Sequence, residues 1–151
     1  MAQETATLIN NFDDWSAFVV NEKGAKVCYA GSAPKAQEGD YTKRGKTYVL
    51  VTQRPAEKRV DEVSVTAGYV YKENAKVTID VDGTEFELFT DGENAWAWDK
   101  TRDRQIVDIM KKGLKMVVKG TSSRGTETTD TYSLKGFTAA MSAVNEACGI
   151  D

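Results

Sequence analysis

The sequence contains no histidine and no long apolar run, and each absence excludes a class of function. Without histidine, the chain lacks the side chain that most often serves as an acid, a base or a metal ligand near neutral pH. Its longest apolar stretches, such as those at 49–51 and 116–118, fall far below the 18 or more residues that span a bilayer. We therefore expect no transmembrane helix, and most histidine-dependent enzymes are excluded.

The sequence also lacks an excess of basic residues. Lys and Arg number 20 against 23 Asp and Glu, which gives a net charge of −3. This balance argues against nucleic-acid binding, because such proteins neutralise phosphates with clustered positive charge. A chain of 151 residues that is 40% hydrophobic and 28% charged is typical of one globular domain.

Cysteine is scarce, since only Cys28 and Cys148 are present. Two cysteines without histidine cannot form an ordinary zinc site, which needs four soft ligands. Two buried free thiols or one disulfide remain, and we favour the disulfide. Closing a loop of more than 100 residues is worth about 4 to 5 kcal/mol in the chain-entropy model. A structural disulfide predicts an oxidising compartment such as the periplasm, or an extracellular location.

The N-terminal residues suggest export. The triplet Ala2-Gln3-Glu4 resembles the start of a chain from which a signal peptide has been removed. We expect a flexible lead over residues 1–11 and a single domain over residues 12–151.

Strand patterns dominate the rest of the chain. The apolar residues at 77, 79 and 81 alternate with polar ones, and Asp82-Gly83 follows. A two-residue Asp-Gly connection favours a type I′ hairpin, because both central positions need positive φ. The segments 21–24 and 91–92 have similar turn chemistry. We count eight or nine strands.

Two segments have helical patterns. The first follows Thr101 and ends at Lys111-Lys112-Gly113, which are helix boundary signals. The second is amphipathic, and its apolar stripe consists of Phe137, Ala140, Met141, Val144 and Cys148. The predicted fold is mainly β, an antiparallel β-sandwich of immunoglobulin-like architecture with two short helices, the C-terminal one stapled to an early strand by the disulfide.

Aromatic and arginine side chains supply the candidate binding residues. Trp96 and Trp98 occupy alternate positions and share one face of a strand. Core packing is the usual role of such residues, but an exposed aromatic platform would suit a protein or glycan partner. The predicted surface consists of Trp96, Trp98, Tyr69 and Tyr71, with Arg44 and Arg54 at its polar rim.

The segment 120–126, Gly-Thr-Ser-Ser-Arg-Gly-Thr, is a second candidate site. Glycines, hydroxyls and Arg124 can form an anion-binding nest from backbone N–H groups. The segment lacks the Gly-Lys-Ser/Thr ending of a phosphate-binding loop. A tight hairpin connection with a solvated arginine is the alternative interpretation.

The chain resembles the invasion-associated locus B family of alphaproteobacterial envelope proteins over nearly its whole length. The resemblance is carried by the order and spacing of several short motifs, namely Phe-Asp-Asp-Trp at 12–15, Cys28-Tyr29, the segment from Arg44-Gly45 to Arg54-Pro55, Glu62-Val63-Ser64 before Gly68-Tyr69, Phe86-Glu87-Leu88-Phe89, Ala95-Trp96-Ala97, Val118-Lys119-Gly120-Thr121-Ser122, Arg124-Gly125-Thr126 and Tyr132-Ser133-Leu134-Lys135-Gly136-Phe137. It implies an exported, sandwich-like protein. The family takes its name from host-cell invasion by pathogenic members, and it supplies no catalytic residues.

We therefore expect a non-catalytic periplasmic or cell-surface protein that binds an unidentified protein or envelope component, without a cofactor or metal. Two alternatives stay open. A histidine-free hydrolase could use a serine and a lysine, such as Ser133 and Lys135. A small-ligand carrier of the periplasm would need an apolar internal cavity.

Overall fold

The structure, a computed structural model, describes residues 5–150 and contains eleven strands and two α-helices within them. The helices are α1 (Lys100–Lys112) and α2 (Phe137–Cys148), and one 3-10 turn covers Pro55–Glu57. The strands are β1 (Thr7–Phe12), β2 (Trp15–Glu22), β3 (Ala25–Ser32), β4 (Ala36–Gly39), β5 (Tyr48–Arg54), β6 (Arg59–Thr66), β7 (Val77–Val81), β8 (Thr84–Asp91), β9 (Asn94–Trp96), β10 (Lys115–Thr121) and β11 (Glu127–Ser133).

These strands form one antiparallel sheet in the order β1-β2-β3-β5-β6-β9-β8-β7-β10-β11-β4. Strand β8 joins its two parts, because its first residues pair with β7 and its last residues pair with β9. The larger half consists of β1, β2, β3, β5, β6 and β9, and the smaller half consists of β7, β10, β11 and β4. Strand β8 belongs to both halves. The predicted mainly β, antiparallel fold with two helices is confirmed. The immunoglobulin-like sandwich is not, because the strands are continuous through β8 rather than divided between separate sheets.

The predicted turns at Lys23-Gly24 and Asp82-Gly83 are confirmed, whereas the turn at 91–92 has Gly92 and Glu93 at its centre, because Asp91 pairs with Asn94. Lys23 and Gly24, between β2 and β3, have φ of 52° and 82°. Asp82 and Gly83, between β7 and β8, have φ of 47° and 100°. Positive φ at both central positions defines the type I′ turn, whose twist matches that of the flanking strands. These turns fix the strand register, because a slip of one residue would turn the apolar side chains outward.

Both predicted helices are confirmed as well. Helix α1 begins at an Asp99 cap, whose carboxylate accepts the Arg102 backbone N–H at 2.8 Å. The predicted apolar stripe of α2 is buried along its whole length. It covers β2 and β3, where the rings of Trp15 and Phe137 meet edge to face at 4.8 Å. Aromatic contact and apolar burial therefore hold α2 to the sheet.

One continuous core receives side chains from both halves of the sheet. Val49, Val51, Val63 and Val65 point into it from the larger half, and Val77, Ile79, Met116 and Val118 from the smaller half. Each such buried side chain contributes about 1.5 to 3 kcal/mol relative to exposure. Because both halves face one core, the sheet curls over itself and leaves each half with a second, outer face.

Two strands, β1 and β4, were not predicted from the sequence. Strand β1 lies within the predicted flexible lead over 1–11, and residues 1–4 lie outside the described residues. Strand β4 consists of four exposed residues, Ala36–Gly39, without apolar alternation. Both strands are at the sheet edges, where exposed side chains do not follow the alternation that identifies half-buried strands.

Candidate functional site

The disulfide joins the two elements that the sequence indicated. Cys28 is a buried residue of β3 and Cys148 is the last residue of α2. Their Cα atoms are 6.0 Å apart, which is within the usual range for a disulfide. The prediction of a disulfide that staples the C-terminal helix to an early strand is confirmed.

The outer face of the larger half carries a row of large apolar side chains. Strand register places them there, because residues directly opposite each other on neighbouring strands point to the same side. Phe18 is opposite Tyr29, and Leu50 is opposite Gly31, two residues farther along β3. Register then continues across β6 and β9 to Trp96, which is opposite Phe89 of β8.

Contacts between rings group these side chains further. The rings of Phe18 and Tyr29 stack with centroids 5.0 Å apart. Phe89 lies 5.7 Å from Trp96 and 5.2 Å from Trp98. Trp98 is 61% exposed, whereas the other rings are half-buried. We define the aromatic face as Phe18, Tyr29, Leu50, Phe89, Trp96 and Trp98. From β2 to β8 it extends about 24 Å, at about 4.8 Å per strand.

The outer face of the smaller half is different in character. Its β7, β8 and β10 positions present carboxylates and ammonium groups, among them Asp80, Glu85, Lys115 and Lys119. Such a charged, solvated surface is ordinary for an antiparallel sheet with one buried face. Of the two outer faces, that of the larger half is therefore aromatic and that of the smaller half is charged.

Arg54, the second predicted rim residue, lies beside the aromatic face. Its guanidinium is 2.7 Å from the Glu22 carboxylate and 3.8 Å from that of Glu62. Glu62 is opposite Thr52, two residues from Leu50, so it points to the same side as the aromatic face. The rim thus carries charges of both signs and is partly exposed to solvent, since the side chain of Glu22 is 51% exposed and that of Arg54 26%.

The structure separates Tyr69, Tyr71 and Arg44 from the two tryptophans. Tyr71 is only 5% exposed, so its assignment to a binding surface is wrong. Tyr69 contacts Tyr71 edge to face at 5.4 Å, and both rings pack over Gly120. They follow Gly68, where the chain leaves the larger half, and so they lie near the smaller half instead.

Arg44 is not a rim residue, because its side chain is only 3% exposed. The guanidinium binds Asp130 through two nitrogens, at 2.7 and 2.5 Å, and donates through Nε to the Ala67 carbonyl at 2.8 Å. The rings of Tyr41 and Tyr69 lie 5.3 and 5.0 Å from it, within range of a cation–π interaction. A buried charge needs this complete set of partners.

Around Arg44 three chain segments enclose an open cavity of about 500 Å³, which we call the loop cleft. They are residues 40–45, residues 68–70 and the β10–β11 connection with Thr126 and Thr128. Gly45 and Gly68 meet in its wall, where the Gly45 N–H donates to the Gly68 carbonyl at 2.8 Å. Gly68 has a φ of +80° and no room for a Cβ, so only glycine allows this contact.

The backbone anion nest predicted around Arg124 is wrong. The Ser122 hydroxyl accepts the N–H groups of Arg124 and Thr126, at 3.3 and 3.1 Å. Gly125 N–H donates to the Ser122 carbonyl, and Ser123 N–H donates to the Val70 carbonyl. Since these donors have internal partners, they cannot bind an anion. The segment is a tight hairpin connection whose Arg124 side chain lines the loop cleft.

Ser133 and Lys135 do not form a catalytic pair. The Ser133 hydroxyl accepts the backbone N–H of Lys135 at 3.1 Å. The Lys135 ammonium lies 3.9 Å from the Asp13 carboxylate. A nucleophile and its base must be within hydrogen-bond reach of each other, and here the lysine faces an aspartate instead.

Phe18, Tyr29, Leu50 and Phe89 are functional candidates that the sequence interpretation missed. Each lies on a strand, next to a buried residue that points to the opposite side of the sheet. Outward aromatic residues at such positions were the available signal. Their convergence depends on which strands are neighbours, and β9 is inserted between β6 and β8.

Fold and site together define a class, a small disulfide-stapled β protein with one open aromatic sheet face. Within residues 5–150 no helix has the length and apolar character needed to cross a bilayer. The family model described as "Invasion associated locus B (IalB) protein" matches residues 15–145. The chain belongs to this family, whose members are exported bacterial proteins.

A solved structure agrees with this assignment. The crystal structure of invasion associated protein b from Bartonella henselae is similar over 93% of this chain and 96% of that chain, with a TM-score of 0.64 and 17% sequence identity. At this identity the similarity concerns the fold. A comparison with curated proteins gives no match.

Proposed function

We propose that this chain is a non-catalytic interaction protein of the bacterial envelope, located in the periplasm or at the cell surface. Its aromatic face would bind a protein or another envelope component. The observation that supports this most directly is the concentration of six large side chains on one open face, with Trp98 61% exposed. Exposed apolar patches on soluble proteins commonly mark interaction sites.

The composition of the face also favours binding. Tryptophan and tyrosine are enriched among the residues that dominate binding energy, because they bury a large area with few rotatable bonds. Arg54 and Glu22 add a charged rim, which excludes water from the centre when a partner docks. Export and the disulfide support an envelope location, because disulfides persist in oxidising compartments.

The proposal can be tested by affinity capture from the organism's envelope fraction, with mass spectrometry of the proteins and glycans that co-purify. We expect Trp98→Ala to reduce recovery of the specific component at least tenfold, because truncating a tryptophan that dominates binding energy typically costs about 2 kcal/mol or more. Trp98 is exposed, so the variant should fold normally, and its thermal transition would verify this.

Leu114→Ala is the matched control. Leu114 is 83% exposed and lies before β10, away from the aromatic face, so its truncation should leave capture unchanged. Equal recovery with the Trp98→Ala, Trp96→Ala and Leu114→Ala variants would exclude the aromatic face as the binding surface.

A further inference from the structure

The loop cleft is separate from the aromatic face and has the features of a small-molecule site. Its volume of about 500 Å³ falls within the 300 to 1,000 Å³ typical of ligand pockets. It is an open cleft in which charged and hydroxyl groups alternate with apolar surface, rather than an enclosed cavity, so it does not suit the small-ligand carrier with an internal cavity considered from the sequence.

The cleft wall is held rigidly. The Arg44–Asp130 pair is buried, and Arg44 also binds the Ala67 carbonyl. The Tyr69 hydroxyl lies 2.6 Å from that of Thr128, and burial raises the pKa of Tyr69, so this hydroxyl stays protonated. A preorganised wall lowers the entropic cost of binding a ligand.

The cleft has more basic than acidic residues in its lining. Lys43 and Arg124 line it, and neither forms an ion pair with another residue in the 5–150 region. Arg44 is neutralised by Asp130, and Asp40 is the remaining carboxylate in the lining. The cleft is therefore net positive in a chain whose net charge is −3, which favours an anionic ligand.

Hydroxyl groups supply the remaining chemistry. Thr42, Ser123 and Thr126 line the cleft, and each hydroxyl can both donate and accept a hydrogen bond. Tyr41 adds an amphipathic ring. The O–H groups of a pyranose could form hydrogen bonds with these hydroxyls, and its C–H groups could pack on the Tyr41 ring. A carboxylate on the sugar could form ion pairs with Lys43 and Arg124. We propose that the loop cleft binds a small anionic sugar of the uronic-acid type.

Titration of the ¹⁵N-labelled protein with glucuronate, followed by two-dimensional NMR, tests this. We expect saturable shift changes confined to residues 40–45, 68–70 and 122–128. Glucose and inorganic phosphate are the two comparison probes, since one lacks the charge and the other lacks the sugar. Each should bind at least tenfold more weakly than glucuronate.

The double variant Lys43→Ala/Arg124→Ala should weaken glucuronate binding at least tenfold. Arg104→Ala/Lys112→Ala is the control with the same charge change, because both residues are exposed on α1, and it should bind normally. No saturable change up to about 20 mM, a value weak even for small ligands, would overturn the proposal. Equal binding of phosphate, or equal weakening by both double variants, would also overturn it. The aromatic-face capture experiment does not depend on the result.

Discussion

At the scale of single residues, Arg44 and Asp130 form a buried ion pair whose two charges have lost their hydration. Both side chains are 3% exposed, so removing one of them leaves the other buried without its charged partner. Breaking a buried pair by removing one partner typically costs about 3 to 5 kcal/mol. We expect a loss of this size in the free energy of unfolding of Asp130→Ala, measured by urea denaturation.

The exposed pair between Arg54 and Glu22 provides the comparison. Glu22 is 51% exposed, and exposed ion pairs contribute about 0 to 1 kcal/mol. Glu22→Ala should therefore change the unfolding free energy little. Similar losses of unfolding free energy for Asp130→Ala and Glu22→Ala would contradict the prediction that burial makes the Arg44–Asp130 pair the more important of the two.

Asp103 predicts a dependence of stability on pH. Burial raises the pKa of Asp103 to about 6 from 3.8, with a further contribution from Glu62, against the lowering effect of the Val63 N–H. Because the folded-state value is the higher one, ionisation of Asp103 disfavours the folded state. Stability is therefore lost as the pH rises from about 4 through 6, by up to about 3 kcal/mol at pH 7.

Asp103→Asn removes this charge but keeps a side-chain oxygen. That oxygen can still accept the hydrogen bond from the Val63 N–H, which in the wild type is 3.0 Å long. We expect the variant to be more stable than the wild type at pH 7 and nearly equal to it at pH 4. Urea midpoints at several pH values would measure the difference. Parallel pH profiles for the two proteins would contradict the prediction.

At the scale of elements, the disulfide holds α2 against the sheet. The chain between Cys28 and Cys148 includes most of the strands, so the cross-link restricts a long loop in the unfolded state. The chain-entropy model predicts a stabilisation of about 4 to 5 kcal/mol, a large part of the roughly 5 to 15 kcal/mol typical of a domain.

We expect Cys28→Ser/Cys148→Ser to be folded but several kcal/mol less stable, or unfolded near 37 °C. Intact mass before and after reduction checks the cross-link directly, since reduction of the wild type adds two hydrogen atoms. Unchanged mass on reduction would refute the disulfide. Equal urea midpoints for the two proteins would instead mean that packing of α2 alone determines stability.

At the scale of the whole molecule, the shared strand β8 and the common core predict a single cooperative unfolding transition. All three tryptophans, Trp15, Trp96 and Trp98, belong to the larger half or adjoin it, so tryptophan fluorescence reports that half. Hydrogen exchange of β10 and β11 amides reports the smaller half.

The two probes should give the same unfolding free energy, because neither half can bury its inner face without the other. A lower value from the β10 and β11 amides would mean that the smaller half opens separately. Such a result would mean that the smaller half, together with the loop cleft, unfolds more easily than the larger half.

Local patterns in the sequence determined a large part of this protein. Alternation at 77–81, the Asp82-Gly83 turn and the apolar stripe of α2 depend on neighbouring residues and on the 2.0 and 3.6 residue periods. The disulfide could also be predicted, because two cysteines leave few alternatives.

Only the tertiary structure decided which surfaces exist. Trp96 and Tyr69 both appear in the sequence as aromatic residues near strands, yet one joins the aromatic face and the other the wall of the loop cleft. The reason is strand order, since β9 lies between β6 and β8 while residues 68–71 pass toward the smaller half. Long-range pairing of this kind brings together residues that no local period connects, and it buries Arg44 beside Asp130, 86 positions away.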